Sequence, residues 1–139
     1  MIGGGGTLDQ ETGHQMRLLI VEDDADTAEM LSTFFETEGY DTRVVAWGHE
    51  AVLTCRQDPP DAIILDVRLP DIDGFEVCRL LRDTFVTAHI PIVFLTEKNR
   101  QVDKIAGLES GGIDYITKPF DIRELRLRVR NALRRPAPW

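Results

Sequence analysis

Five short apolar runs punctuate the chain: Met16 to Val21, Thr42 to Val45, Ala62 to Leu65, Ile90 to Leu95 and Ile113 to Thr117. Most are continuous Ile, Val and Leu without polar alternation, the pattern of strands buried on both faces of a parallel sheet. The stretches between them have helical period. Ala28, Leu31 and Phe35 share one face, and Gly39 stands where that helix would end. Ala51, Val52 and Cys55 mark a second helix, Phe75, Cys78 and Leu81 a third, and Val102, Ile105 and Leu108 a fourth. In the fifth, Asp121 is a candidate N-cap with Glu124 three residues on, Leu125, Val129 and Leu133 form the apolar stripe, and Pro136 and Pro138 stop it. Alternation of strand and helix five times over predicts an α/β fold: a parallel sheet, right-handed crossovers and helices on both faces.

Length changes this picture little, since 139 residues suit one domain. The expected division is a flexible tail over residues 1–15, one domain over 16–135 and a short tail over 136–139. The run Gly3 to Gly6, with almost no large apolar side chains around it, carries the first of these. No window has the roughly 18 consecutive apolar residues of a membrane span. No basic segment leads into an apolar one, so a secretory signal is not expected and a cytoplasmic protein is. Cys55 and Cys78 lie inside apolar helical patterns and read as reduced core thiols rather than a disulfide or metal pair. The formal charge of −8 argues against general affinity for nucleic acid. It is unevenly spread: residues 121–135 hold six arginines against two acids. That basic last helix reads as a solvated face or a docking face for a partner protein.

In open parallel sheets the ligand site lies outside the carboxyl ends of the strands. After the first apolar run comes Glu22-Asp23-Asp24, after the third Asp66, after the fourth Thr96, and after the fifth Lys118-Pro119. Each alone reads as a helix cap or a surface residue. Together they place carboxylates that repel one another unless a cation offsets them. Magnesium suits such a set, because it prefers oxygen ligands and typically uses one or two carboxylates plus a phosphate. A carboxylate is also a workable nucleophile for phosphoryl transfer, which depends on positioning and charge neutralisation.

The stretches Leu18 to Asp24, Ile64 to Gly74, Phe94-Leu95-Thr96 and Asp114 to Phe120, in that order and spacing, resemble the receiver domain of two-component response regulators. The resemblance covers about Met16 to Arg135. It implies a flavodoxin-like sheet of order 2-1-3-4-5 and a domain that accepts a phosphoryl group from a sensor histidine kinase or phosphotransfer protein. Asp66 would be the phosphoacceptor. Mg²⁺, with Mn²⁺ as the alternative, would be held by Asp23, Asp66 and the main-chain carbonyl of Arg68, with Glu22 acting through water. Asp24 could serve there or cap the first helix. Lys118 would pair with the phosphoryl oxygens and Thr96 would hydrogen-bond one of them. Thr96 and Tyr115 match the family's switch pair, and Pro119 follows the Lys through a bond that is often cis there. The output surface would be the fourth helix, fifth strand and fifth helix, where Lys104, Glu109, Asp114, Glu124 and Arg128 match charges that pair across a homodimer in regulators with winged-helix DNA-binding domains. The receiver itself is not expected to bind nucleic acid or membrane, or to be an enzyme beyond its own Mg-dependent phosphorylation and dephosphorylation.

The sequence is unusual for the family at four positions. Glu97 follows Thr96 where a small residue is usual, Ile113 replaces an acid, and Arg68 and Lys98 flank the acceptor site as cations. The alternative function is a pseudo-receiver, an interaction module of the same fold that works without phosphate. An acidic run, not Gly-x-Gly-x-x-Gly, follows the first strand, which argues against a dinucleotide-binding oxidoreductase. An aspartate-nucleophile phosphatase would carry an acid where Arg68 stands. The chain ends just past the fifth helix, as would a single-domain regulator or the receiver half of a longer protein.

Overall fold

The computed structural model describes residues 14–97, 105, 109, 111–112 and 114–134. Its elements are β1 (Arg17–Val21), α1 (Ala25–Thr37), β2 (Asp41–Val45), α2 (Gly48–Gln57), β3 (Ala62–Asp66), α3 (Gly74–Arg82), β4 (Ile92–Thr96), β5 (Asp114–Thr117) and the C-terminal helix, here α4 (Ile122–Arg134). The strands form one parallel sheet of order β2-β1-β3-β4-β5. Of the helix expected between β4 and β5, Ile105 and Glu109 are described and helical. Lys98, Val102, Lys104, Leu108 and Ile113 lie outside the described residues.

Side-chain alternation along the strands builds two cores, one on each face. Leu19, Val21, Ile63, Leu65, Ile92 and Phe94 meet Ala51, Val52 and Cys55 of α2 and Phe75, Val77, Cys78 and Leu81 of α3. Leu18, Ile20, Ile64, Val93, Leu95 and Ile116 meet Leu31 and Phe35 of α1 and Leu125, Val129 and Ala132 of α4. Apolar residues thus point both ways along β1, β3 and β4, which explains their unbroken runs. The second run corrects the expectation of burial on both faces. β2 is an edge strand, and only Val45 of its five residues is buried. The third and fourth strands also run one residue further than their apolar runs, so Asp66 and Thr96 are the last strand residues rather than the first loop residues.

Three helices start on their own acids. Asp24 accepts from the Thr27 N–H, Asp73 from the Glu76 N–H, and Asp121 from the Arg123 N–H. Glu124 sends its carboxylate to Arg128. Gly39, at φ 98°, ends α1 in the left-handed region. In α4 the buried stripe is Leu125, Val129 and Ala132, with Leu133 only partly covered. Cys55 and Cys78 are buried core thiols, and burial pushes the Cys55 thiol up to about 12. Among the described residues no helix is long and apolar enough to cross a membrane.

Candidate functional site

The parallel ladders bring the acids, hydroxyl and ammonium to one end of the sheet. Val21 pairs with Leu65, Asp66 with Leu95, and Thr96 with Thr117. Glu22 continues the ladder by donating its N–H to the Val45 carbonyl (3.0 Å), and Lys118 donates its N–H to the Thr96 carbonyl (2.6 Å). The Lys118-Pro119 bond is cis. Glu22, Asp66 and Thr96 are buried, whereas Asp23 is exposed.

Lys118 Nζ lies between two buried carboxylates, 2.9 Å from Glu22 Oε1 and 3.1 Å from Asp66 Oδ2. Asp66 Oδ1 accepts the Arg68 N–H at 3.0 Å, and Glu22 Oε2 accepts the Asp24 N–H at 3.1 Å. The backbone that follows each acid therefore orients it. Asp24 itself is turned to α1, where it accepts from Thr27, so of its two open readings the structure takes the cap. The site opens to solvent as a cleft of about 510 Å³, with Arg68 and Glu97 exposed on its lining.

One ammonium does not neutralise two buried carboxylates and the Asp23 acid beside them. Burial, reinforced by hydrogen bonding with Asp66, raises the Glu22 carboxyl to about 7 against the pull of Lys118. Burial would lower the Lys118 ammonium, but Glu22 and Asp66 hold it above its ordinary value. One oxygen from each of Glu22, Asp23 and Asp66 lies within 4.8 Å of the others. A hard divalent cation fits this all-oxygen set and supplies the missing positive charge.

A proton on Glu22 makes the metal-free stability pH-dependent. Between the ordinary 4.5 and about 7, the folded chain keeps a proton that the unfolded chain releases. Stability is therefore expected to fall as pH rises through that window. Thermal melts in EDTA from about pH 5 to about pH 7.5 test this. Asp66→Asn, which removes the neighbouring charge, is expected to flatten the slope; a melting temperature rising steadily over the same range would contradict it.

Tyr115 is half-buried against the α2–α3 core, paired with Phe94 across the ladder. Three of the residues expected on the output surface meet within the chain. Arg128 holds Asp114 (2.9 Å) and Glu124 (3.1 Å). Glu109 is helical and exposed. Asp71, which no sequence motif singles out, spans from the loop after β3 to the start of α2. A signal for it existed: α2 begins after Trp47, which offers no side-chain cap. The N–H groups at such a start require an acceptor from elsewhere in the fold, and its position cannot be read from the chain.

The sequence model of the response regulator receiver domain matches residues 18–130. The DNA-binding response regulator MtrA of Mycobacterium tuberculosis is 47% identical over 121 residues, which are 87% of this chain and 52% of MtrA. The chain spans about half the length of the curated relatives it matches. A crystallised response regulator from Chloroflexus aurantiacus is 44% identical with a TM-score of 0.82, over 86% of this chain and 98% of that one. The receiver domain of a Pseudomonas aeruginosa sensor histidine kinase, crystallised with a magnesium ion coordinated in its active-site cleft, is 31% identical with a TM-score of 0.79, over 85% and 97%. With the family model matched across residues 18–130 and a solved response regulator 44% identical over nearly its whole length, this chain belongs to the response regulator receiver domain family.

Proposed function

We propose that residues 16–135 form a unit that takes a phosphoryl group on Asp66 from a phosphohistidine of a partner kinase or phosphotransfer protein. The observation that carries this is the buried Asp66 carboxylate, oriented by the Arg68 N–H and faced by Lys118 Nζ at 3.1 Å. An Asp66 oxygen forms the new O–P bond while the P–N bond of the donor breaks, and its electron pair leaves with the imidazole. Lys118 would pair with the phosphoryl oxygens and Thr96, buried one strand away, would hydrogen-bond one of them. Asp23, Asp66 and the Arg68 carbonyl would hold Mg²⁺, with Glu22 behind Lys118 acting through water. Bound there, the ion would supply charge neutralisation for the transferring phosphoryl group. Mn²⁺ would be accepted by the same oxygen donors.

The phosphoryl group adds nearly two negative charges and three acceptor oxygens. Thr96 turning towards them would free space for Tyr115, and the face that carries Glu109, Asp114, Glu124 and Arg128 would be the output surface. A homodimer through that face would have Arg128 exchange its partners within the chain for partners on the second copy.

The test is incubation with acetyl phosphate and MgCl₂, read by phosphate-affinity electrophoresis. A shifted band that is lost when EDTA replaces Mg²⁺ is expected. A chain that never shifts would instead favour the phosphate-independent interaction module.

A further inference from the structure

The loop between β3 and α3 lies between two close backbone approaches, one at each end. At its base Gly74 donates its N–H to the Val67 carbonyl at 2.8 Å. At its tip Asp71 reaches α2: Oδ1 accepts the Gly48 N–H (2.8 Å), and Oδ2 accepts the His49 N–H and faces His49 Nδ1, both at 2.9 Å. A Cβ built on Gly48 would stand 2.6 Å from Ile72 of this loop and 2.9 Å from Val77 of α3, so the start of α2 packs closely against both. Between the anchors, Arg68, Leu69 and Pro70 line the cleft.

We propose that Asp71 is a positioning residue for the cation site, holding the loop that carries Arg68 in the place the site requires. This rests on the reading of Asp66, Asp23 and the Arg68 carbonyl as the cation's ligands. The path from Asp71 to the chemistry is short and continuous. The Arg68 N–H holds Asp66 Oδ1, so the loop backbone sets the direction of the acceptor carboxylate as well as the place of its own carbonyl. Leu69 and Ile72 are only partly buried, and Arg68 and Pro70 are exposed. Packing therefore holds the loop tip on the α2 side only, and the three polar contacts of Asp71 add a directional restraint there. The environment favours the ionised side chain: burial would raise its carboxyl, but the N–H groups of His49 and Gly48 hold it well below the usual carboxylate range.

An N-cap that served α2 alone would affect stability and leave the cleft unchanged. The distinguishing measurement is Mg²⁺ affinity, by calorimetric titration with MgCl₂ alone, in wild type, Asp71→Ala, Asp71→Asn and Asp61→Ala. Asp61 accepts the Arg17 N–H (2.7 Å) at the opposite end of the sheet, so its loss destabilises the fold without touching the loop. Partners that orient metal ligands are typically worth ten- to a hundredfold in affinity, and action through backbone places Asp71 at the low end. Asp71→Ala is expected to raise the Mg²⁺ dissociation constant about tenfold. Asp71→Asn keeps one acceptor oxygen and is expected to fall between, and it carries the test if the alanine variant does not fold. Asp61→Ala is expected to bind Mg²⁺ as the wild type does. Wild-type affinity in folded Asp71 variants would overturn the proposal, as would an equal loss in Asp61→Ala. A wild-type protein that binds no Mg²⁺ would instead overturn the cation site itself.

Discussion

Asp66→Asn is expected to fold normally and to take up no phosphoryl group, giving no shifted band on phosphate-affinity electrophoresis under conditions that shift the wild type. The amide keeps the size of the side chain and an oxygen for the Arg68 N–H, so the loop after β3 keeps its anchor. It lacks the anionic oxygen that must form the O–P bond. Removing the charge also relieves a cost present in the metal-free fold, because Asp66 and Glu22 are two buried carboxylates sharing one ammonium. The metal-free variant is therefore expected to melt no lower than the wild type at neutral pH, while Mg²⁺ protects it less. The pairing of unimpaired stability with abolished phosphorylation separates a chemical role from a structural one. A band shift that persisted in Asp66→Asn would move the acceptor elsewhere and remove the main support for the proposed function.

Parts of this fold are legible because one physical rule governs them. Strands covered on both faces must be apolar throughout, so β1, β3 and β4 stand out as runs and their ends point to the site. β2 obeys a different rule, because an edge strand has less to cover it, and Asp41, Arg43 and Val44 are exposed where a buried strand was expected. Asp66 and Thr96 extend their strands because hydrogen bonding in a ladder does not stop where hydrophobicity does; Val67 still donates to the Leu95 carbonyl at 2.9 Å. The site is legible as a set of residue types but not as a network. That Lys118 bridges Glu22 and Asp66 across 96 and 52 residues depends on strand order, which spacing along the chain does not contain. Asp71 is the sharper case. A non-local cap leaves only an indirect trace, the uncapped start at Trp47, and its partner can be found only when two loops are seen side by side. Arg128 is a similar case: that it holds both Asp114 and Glu124 within the chain depends on how α4 lies beside β5, which spacing alone does not contain.

Gly74→Ala is expected to damage stability and phosphorylation together, because one close contact serves both. A Cβ at Gly74 would lie 2.5 Å from the Asp66 carbonyl oxygen, 2.9 Å from Val67 Cα and 3.1 Å from the Asp66 carbonyl carbon. These are backbone atoms at the end of a central strand, so no rotamer change relieves the overlap. The first turn of α3 must retreat from β3, and its buried residues Phe75, Val77, Cys78 and Leu81 move with it. Overpacking of this kind costs about 1–3 kcal/mol. At this chain length that lowers the melting temperature by roughly 4–12 °C. Because the contact is to Asp66 itself, the same retreat re-aims the acceptor carboxylate, and misplacement on the ångström scale can cost about a hundredfold in rate. A loss of at least about tenfold in the initial rate with acetyl phosphate is expected, measured well below the variant's melting temperature. Gly39→Ala provides the contrast. It strains a left-handed residue at φ 98° after α1, and its cost of about 1 kcal/mol arises far from Asp66, so its rate is expected to match the wild type. A Gly74→Ala protein that melts lower yet phosphorylates at full rate would show that α3 can shift without Asp66 following, and that the base of the loop does not set the acceptor's aim.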